Sequence, residues 1–417
     1  MSLSTIKLSH STKNVQGTVQ LTGSKSESNR ALIIQALSKG LVTVDNLSAA
    51  ADTVIMQNAL QQANAGNPQT TTTIDIGPAG TAMRFLTSYL NLVNGQFLLT
   101  GTERMQQRPI GILVDALRTL GAQINYDKQE GYPPLRINGG LALTKNRVSI
   151  QGNVSSQYIS SLLLIAASLK SGLTLEIQGE LTSRPYVTMT LNMLQEAGIS
   201  YTWTENSIEI KAQPFKPTTI FVEPDWSAAS YWYAIVALSD KGAIVLPGLK
   251  AHSLQGDIAI VDIMTHFGVA SSFQEDGLHI AKVSKGTDKK LFDFKECPDL
   301  AQTIVALAAA LKRDIAITGV ETLKIKETDR LAALKTEIEK FGATIVEDDK
   351  TYHIKTDAVH LVEQITFDTY EDHRMAMAFA PLALVFKEVN INEPQVVEKS
   401  YPDYWAHLEQ QGFQISK

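Results

Sequence analysis

The chain has 417 residues, more than one ordinary hydrophobic core accommodates, so two domains are expected. Its 37 Lys and Arg against 43 Asp and Glu leave a net charge of −6, which argues against general nucleic-acid binding. A single cysteine, Cys297, excludes an internal disulfide and a cysteine-clustered metal site, and no run reaches the ~18 apolar residues of a membrane span.

In chain order, "MSLSTIKLSHSTKNVQG" (1–17) lacks the apolar core of a secretion signal, so a cytoplasmic protein is expected. "LTGSKSESNR" (21–30) gathers Lys25, Arg30 and three serines before the apolar run "ALIIQAL", a pattern that suits a capped helix start. "LVTVDNL" (41–47) reads as a strand, and "ALQQANAGN" (59–67) as a helix ending. "GPAGTAMRFLTSYL" (77–90) opens a second polar-headed helix; the strand "QFLLTG" (96–101) and the loop "ERMQQRPIG" (103–111) follow. "VSSQYISSLLLIAAS" (154–168) is a third such helix, and "LTLEIQG" (173–179) is a strand. "QPFKPTTIFVEPDWS" (213–227), with three prolines, is the expected crossing between domains. Beyond it come the strands "AIVLPG" and "IAITGV" and three more polar-headed helices. These open at "PDLAQTIVALAAAL" (298–311), "KETDRLAALKTEIEKFG" (326–342) and "YEDHRMAMAFAPLAL" (370–384). In the first of the three, Asp299 and Gln302 have the form of a capping box.

One helix ending recurs. "ALRTLGAQI", "MLQEAGISY", "IMTHFGVAS", "EIEKFGATI" and "HLEQQGFQI" each join an amphipathic tail to a glycine and then to a short apolar run. Glycine suits this place because the residue after a helix often takes φ > 0. Gly66 marks a degraded sixth copy ahead of Gly121, Gly198, Gly268, Gly342 and Gly412, at spacings of 55, 77, 70, 74 and 70 residues. Six endings at such intervals predict a duplicated α/β unit, three to a domain.

Several helix openings carry a cation: Lys25 and Arg30, Arg84, Lys326 and Arg330, Arg374. A cation at a helix N-terminus opposes the macrodipole, so helix stability does not favour it, whereas an anionic ligand would relieve the conflict. Arg104 and Arg108, in the loop before another helix, add guanidinium forks suited to carboxylate or phosphate. A substrate with several negative charges is expected. "GSKS" lacks the spacing of a P-loop, and no dinucleotide fingerprint or His-Glu-x-x-His zinc motif is present, so neither metal nor organic cofactor is expected.

Taken together, "GSKSESNRAL", "GPAGTAMR", "ERMQQRPIGILVDAL", "GNVSSQYISSLLLIA", "LTSRPYVTMTLNML", "VEPDWSAASYWYAI", "CPDLAQT", "IKETDRLAAL", "YEDHRMAMAFAPLAL" and "EKSYPDYW" resemble the EPSP synthases, the 3-phosphoshikimate 1-carboxyvinyltransferases, in order along nearly the whole chain. The resemblance implies an α/β fold, a two-domain inside-out α/β barrel with three small repeats per domain. It implies a discontinuous domain of residues 1–22 and 226–417, a second of residues 23–225, and an active site in the cleft between them. It further implies transfer of the enolpyruvyl group of phosphoenolpyruvate to the 5-hydroxyl of shikimate 3-phosphate with release of phosphate, by a cytoplasmic monomer.

Carried over position by position, the resemblance gives Lys25, Ser26, Arg30, Ser155, Ser156, Gln157, Ser183, Tyr186, Asp299 and Lys326 to shikimate 3-phosphate. It gives Lys25, Gly80, Arg108, Gln157, Arg330, Arg374 and Lys399 to phosphoenolpyruvate. Asp299 resembles the base that takes the proton of the attacking hydroxyl, and Glu327 the acid that protonates the methylene carbon. To serve as an acid among cations, Glu327 needs burial or a neighbouring carboxylate. The chain departs from the family pattern at Pro78 and Thr322, where asparagine is usual, and at Phe85, where proline often stands. Two rivals are a related transferase acting on UDP-N-acetylglucosamine and a non-catalytic phosphometabolite-binding protein. The second could dispense with either carboxylate, and both Asp299 and Glu327 are present.

Overall fold

A computed structural model describes residues 4–141, 143–284 and 286–417; residues 1–3 of the expected first segment lie outside it. The chain divides into two compact units, Met1–Thr22 with Glu223–Lys417, and Gly23–Val222. The second crossing falls three residues before the expected 225/226, and hydrogen bonds explain the difference. The Glu223 carboxylate accepts from Trp226 Nε1 (2.8 Å), Lys250 N (2.8 Å) and Ser253 Oγ (2.6 Å). Asp225 N donates to the Thr22 carbonyl (3.0 Å), so residues 223–225 are tied into the discontinuous unit.

The repeat is a strand, a helix, a parallel strand, a second helix and a hairpin. In one copy Arg147–Gln151 pairs parallel with Leu173–Gln178 across the helix Ser156–Ala166, then the helix Arg184–Glu196 leads to the hairpin Thr202–Thr204 and Ser207–Ile210. The last of these strands returns antiparallel to Leu173–Gln178, with Ile208 opposite Leu175. Alternation explains the packing: Val148, Ile150, Leu175, Ile177, Ile208 and Ile210 point to one face and are buried. Four further sheets have this strand order. In one of them the N-terminal strand Thr5–Ser9 stands in for a hairpin strand, pairing antiparallel with Glu388–Asn392 and Gln414–Ser416.

Each crossing exchanges a first strand. Asn14–Thr18 pairs parallel with Lys241–Leu246 in the discontinuous unit, and Thr218–Phe221 pairs parallel with Val42–Asp45 in the continuous one. The latter sheet has only two strands. It belongs to the copy whose ending looked degraded: Gly66 has φ −63°, and the chain runs straight into the next repeat's strand, Thr71–Asp75. At the other five endings glycine takes φ between +78° and +111°, the left-handed region that turns the chain into a hairpin.

Helices fill the middle of each unit. All ten residues of Gly80–Tyr89 and all ten of Ala301–Ala310 are buried, and only Gln157 on Ser156–Ala166 and only Ser227 on Trp226–Leu238 are not. Helices buried nearly all round, with polar members such as Arg84, Ser160 and Ser161 hydrogen-bonded within, make up the core. Gly80–Tyr89 packs on Ser156–Ala166, and Ala301–Ala310 on His373–Phe379 and Trp226–Leu238. Each unit is thus an inside-out α/β arrangement, sheets outside and helices within. The two half-buried exceptions, Gln157 and Ser227, lie in first turns. No helix of the described residues is long and apolar enough to cross a membrane.

One strained turn leads into a functional segment. Tyr370 and Glu371 both have positive φ, 54° and 55°, immediately before Asp372. Such backbone costs about 1 kcal/mol or more per residue and persists only where neighbours impose it. Here Tyr370 Oη donates to Glu337 Oε1 (2.6 Å), and Glu337 Oε2 accepts from Asp368 N (3.0 Å) and from Lys340 Nζ (2.7 Å). Glu337→Ala is expected to cost about 2–3 kcal/mol, since it removes the buried carboxylate that accepts from Tyr370, Asp368 and Lys340. Urea unfolding measures it, and a loss under 1 kcal/mol would show that the turn holds itself.

Candidate active site

In the unit Gly23–Val222 most of the candidate residues lie at four helix starts. Ser24 caps the helix Lys25–Leu37 by accepting from Glu27 N (3.5 Å). Lys25 opens that helix, and its ammonium lies 3.4 Å from Asp52 on the next helix. The countercharge expected from a ligand is therefore supplied in part by the protein.

Arg30 is buried, its donors turned inward. Nε donates to Thr190 Oγ1 (2.7 Å), Nη1 to the Ser26 carbonyl (2.8 Å), and Nη2 to Ser160 Oγ (3.2 Å) and the Tyr186 carbonyl (3.3 Å). The guanidinium also lies over the rings of Phe85 and Tyr186, with centroids at 5.3 and 5.8 Å. Burial pulls its pKa down to about 10, against Tyr186 and Glu27, so it stays charged at neutral pH. It clamps three helices together and joins Ser26 to Tyr186. Phe85, one of the departures from the family pattern, packs against this cation.

Ser155 caps Ser156–Ala166 by accepting from Gln157 N (3.3 Å). The Gln157 amide donates to Thr81 Oγ1 (3.2 Å) on the helix that Gly80 opens. Ser183 stands before Arg184–Glu196 in the left-handed region, φ 54° and ψ 42°, without capping the helix. A serine held there is strained, and such strain clusters at functional sites.

Gly80 and Arg108 meet directly. A Cβ on Gly80 would lie 2.8 Å from Arg108 Nη1 and 3.2 Å from its Cζ. Arg108 is 8% exposed, and among the described residues its Nε has no hydrogen-bond partner. The next residue's carbonyl, that of Pro109, accepts from Tyr158 Oη (2.5 Å) and Arg84 Nη2 (3.2 Å), which fixes the loop. Arg84, a candidate anion contact from sequence, is buried and occupied in this structural task. Gly80→Ala is expected to push aside only the tip of a flexible side chain. The melting temperature should hardly move, while the affinity for an anionic ligand at Arg108 falls about tenfold to a hundredfold. An unchanged affinity would remove Arg108 from the site.

The discontinuous unit carries an ion-pair web. Arg330, the first residue of the helix Arg330–Glu339, is 2% exposed. It pairs with Asp372 through Nε (2.6 Å), with Asp299 through Nη1 (2.9 Å) and with Glu327 through Nη2 (3.0 Å). Asp299 Oδ2 also accepts from Arg374 Nη2 (2.9 Å), and Glu327 Oε1 lies 3.1 Å from Lys399 Nζ. Burial disfavours the Arg330 charge, but Asp372, Glu327 and Asp299 more than compensate and hold its pKa above the ordinary value. Asp299, Glu327, Arg330, Arg374 and Lys399, all five expected from sequence, are brought together. Lys326 is half-buried in the loop before Glu327.

The expected capping box is not formed. The chain enters Ala301–Ala310 through a 3-10 turn, Pro298–Leu300, and no side chain caps either element. Two guanidiniums claim the Asp299 oxygens, and the buried Gln302 amide has no partner among the described residues. Charged guanidinium donors outcompete a neutral backbone N–H for the carboxylate.

Three participants were not anticipated. Asp372, fully buried, caps His373–Phe379 by accepting from Arg374 N (2.9 Å) while pairing with Arg330. An aspartate just before a helix was its only signal in the sequence. Tyr231 Oη and Ser227 Oγ accept from Arg374 at 3.2 and 3.3 Å, and nothing local marked either residue. Cys297 is buried, which pushes its thiol well above the usual range and leaves it unreactive. Among the described residues no group of three or more His, Cys, Asp or Glu is arranged to hold a metal ion.

Comparison with known proteins bears on the chain's family and fold. A 3-phosphoshikimate 1-carboxyvinyltransferase of Bacteroides fragilis is 50% identical over 405 residues, 96% of each chain. One from Shewanella halifaxensis is 38% identical over 418 residues, covering 94% of this chain and 96% of its own. Among solved structures, an EPSP synthase from Acinetobacter baumannii superposes with a TM-score of 0.76 at 20% identity, over 99% of this chain and 100% of that one. The enolpyruvyl transferase NikO of Streptomyces tendae gives 0.74 at 15% identity over 99% of each chain. At these identities the two structures bear on the fold alone. The family model for EPSP synthase (3-phosphoshikimate 1-carboxyvinyltransferase) matches residues 10–408, and with relatives this similar along almost their full length, the chain belongs to the EPSP synthase family.

Proposed function

We propose that this chain transfers the enolpyruvyl group of phosphoenolpyruvate to the 5-hydroxyl of shikimate 3-phosphate, releasing phosphate. The observation that carries the reading is the web in which Asp299 and Glu327 share Arg330 and are flanked by Arg374 and Lys399. Two carboxyls fixed around a guanidinium supply a base and an acid on either side of a reacting carbon. The cations beside them can offset the charge of a departing phosphate.

In this reading Glu327 gives a proton to the methylene carbon of phosphoenolpyruvate, and cationic character builds on the adjacent carbon. Asp299 takes the proton of the shikimate hydroxyl as its oxygen bonds to that carbon. A carboxylate has about four lone-pair sites, so Asp299 can hold Arg330 and Arg374 and still accept that proton. Loss of a proton from the new methyl group then expels phosphate. Both oxygens of Glu327 face cations, so acting as an acid requires one of them, Lys399 being the more mobile, to turn to the substrate. Lys25, Ser26, Arg30, Ser155, Ser156, Gln157, Ser183, Tyr186 and Lys326 are assigned to shikimate 3-phosphate on the family pattern. Arg108 and Gly80 join Lys25, Gln157, Arg330, Arg374 and Lys399 for phosphoenolpyruvate. The enzyme is read as a monomer, which light scattering checks.

Phosphate release from the purified protein tests the reading, with each substrate omitted in turn and UDP-N-acetylglucosamine offered as a substitute acceptor. Release dependent on both substrates is expected. Release with the sugar nucleotide, or none from folded protein that binds shikimate 3-phosphate, would sink it.

A further inference from the structure

We infer that Asp257 is a positioning residue for this site: through the Ser227 hydroxyl it sets the direction in which Arg374 presents its guanidinium. The inference rests on the reading that Arg374 receives phosphoenolpyruvate. Asp257 lies in the 3-10 turn Gly256–Ala259 and is 3% exposed. Its Oδ2 accepts the Ser227 hydroxyl hydrogen in a short bond. A serine hydroxyl has one hydrogen, so with that hydrogen committed only a lone pair can face any other neighbour. That lone pair accepts from Arg374 Nη2 (3.3 Å), and the same nitrogen donates to Asp299 Oδ2 (2.9 Å). Without Asp257 the hydroxyl is free to rotate its hydrogen toward the guanidinium, and a fixed acceptor is lost from one side of Arg374.

The surroundings of Asp257 suit a role through others rather than in the web itself. Among the described residues it has no cation within ion-pair distance, and its Oδ1 is buried without a hydrogen-bond partner. The charged or titratable groups facing it are Asp299 from the turn Pro298–Leu300, Arg374 from His373–Phe379, and Asp225 at the start of Trp226–Leu238. The thiol of Cys297 also lies in its field. Burial, then Asp299, pushes its pKa up to about 7, against Arg374 and the Ser227 hydrogen bond. The sign follows. Below that pH a neutral Asp257 leaves Arg374 to Asp299 and a ligand; above it a second negative charge competes for the same guanidinium. Affinity for an anionic ligand at Arg374 therefore falls as pH rises through that range.

The test compares the full-length protein with Asp257→Asn, Asp257→Ala, Ser227→Ala and the double alanine variant. The readouts are kcat and KM for phosphoenolpyruvate from about pH 5.5 to 9, the Kd of phosphoenolpyruvate by calorimetry with shikimate 3-phosphate present, and the melting temperature. Each alanine variant is expected to raise the KM and Kd for phosphoenolpyruvate about tenfold, with kcat changed less than about threefold. The double variant should be no worse than the worse single, because both act through one contact. Asp257→Asn keeps an acceptor but cannot ionise, so it should stay close to wild type near neutrality and lose the alkaline weakening. Multiplying single effects, an unchanged Kd with only a lower melting temperature, or an asparagine variant that keeps the pH dependence would each overturn the inference. Should Asp257→Ala not fold, Ser227→Ala carries the same comparison. If wild type releases no phosphate, the reading of the function fails, while the calorimetric Kd values still decide the role of Asp257.

Discussion

Arg330→Met is expected to lower phosphate release on the order of a thousandfold and to cost about 3–5 kcal/mol of stability. Methionine fills much of the space but provides no charge. Asp372, Asp299 and Glu327 then face one another without their shared cation, and the fully buried Asp372 has the least access to water. Removing one member of a buried ionic network costs more than the network contributes, because the remaining charges stay desolvated. Asp299 keeps Arg374 and Glu327 keeps Lys399, so the loss centres on Asp372, and urea unfolding measures it. A variant as stable as wild type would mean that the carboxylates find other partners.

Glu327→Gln is expected to keep the fold and shikimate 3-phosphate binding while phosphate release falls about a hundredfold to ten-thousandfold. The amide can still accept one hydrogen bond, from Arg330 or from Lys399, so the web loosens without collapsing. What it cannot do is donate an acidic proton to carbon. Uptake of solvent deuterium by the methylene group of phosphoenolpyruvate separates this from a positional defect. If Glu327 is the acid, deuterium uptake falls together with phosphate release. Uptake at the wild-type rate with slow release would move the acid role to another group. Asp299→Asn should be equally slow but less stable, since its amide nitrogen would confront Arg330 or Arg374.

The repeat was legible before the fold was known because it is written in local chemistry. Gly121, Gly198, Gly268, Gly342 and Gly412 announce left-handed turns that side chains resist, and all five adopt them. Gly66 kept the residue type without the turn, and its copy lost the hairpin. The polar helix openings were visible for a similar reason, since a serine or aspartate directly before an apolar run supplies the oxygen that the free N–H groups of a helix start require. Asp299 shows the limit of such reasoning. Its spacing to Gln302 read as a cap, yet Arg330 and Arg374, 31 and 75 positions away, claim both oxygens.

By itself the sequence determined the six-fold α/β repetition, the polyanionic character of the substrate and the residue types of the site, because helix ends, strand alternation and charge at helix starts depend on neighbours within a few positions. Only the tertiary structure decided which groups meet. It turned Arg30 inward as a clamp, left Arg108 Nε without a partner beside Gly80, and set Asp372, Ser227 and Asp257 around Arg330 and Arg374. Those pairings join residues up to 160 positions apart, such as Arg30 and Thr190, and their strength comes from shared burial, which no local pattern encodes.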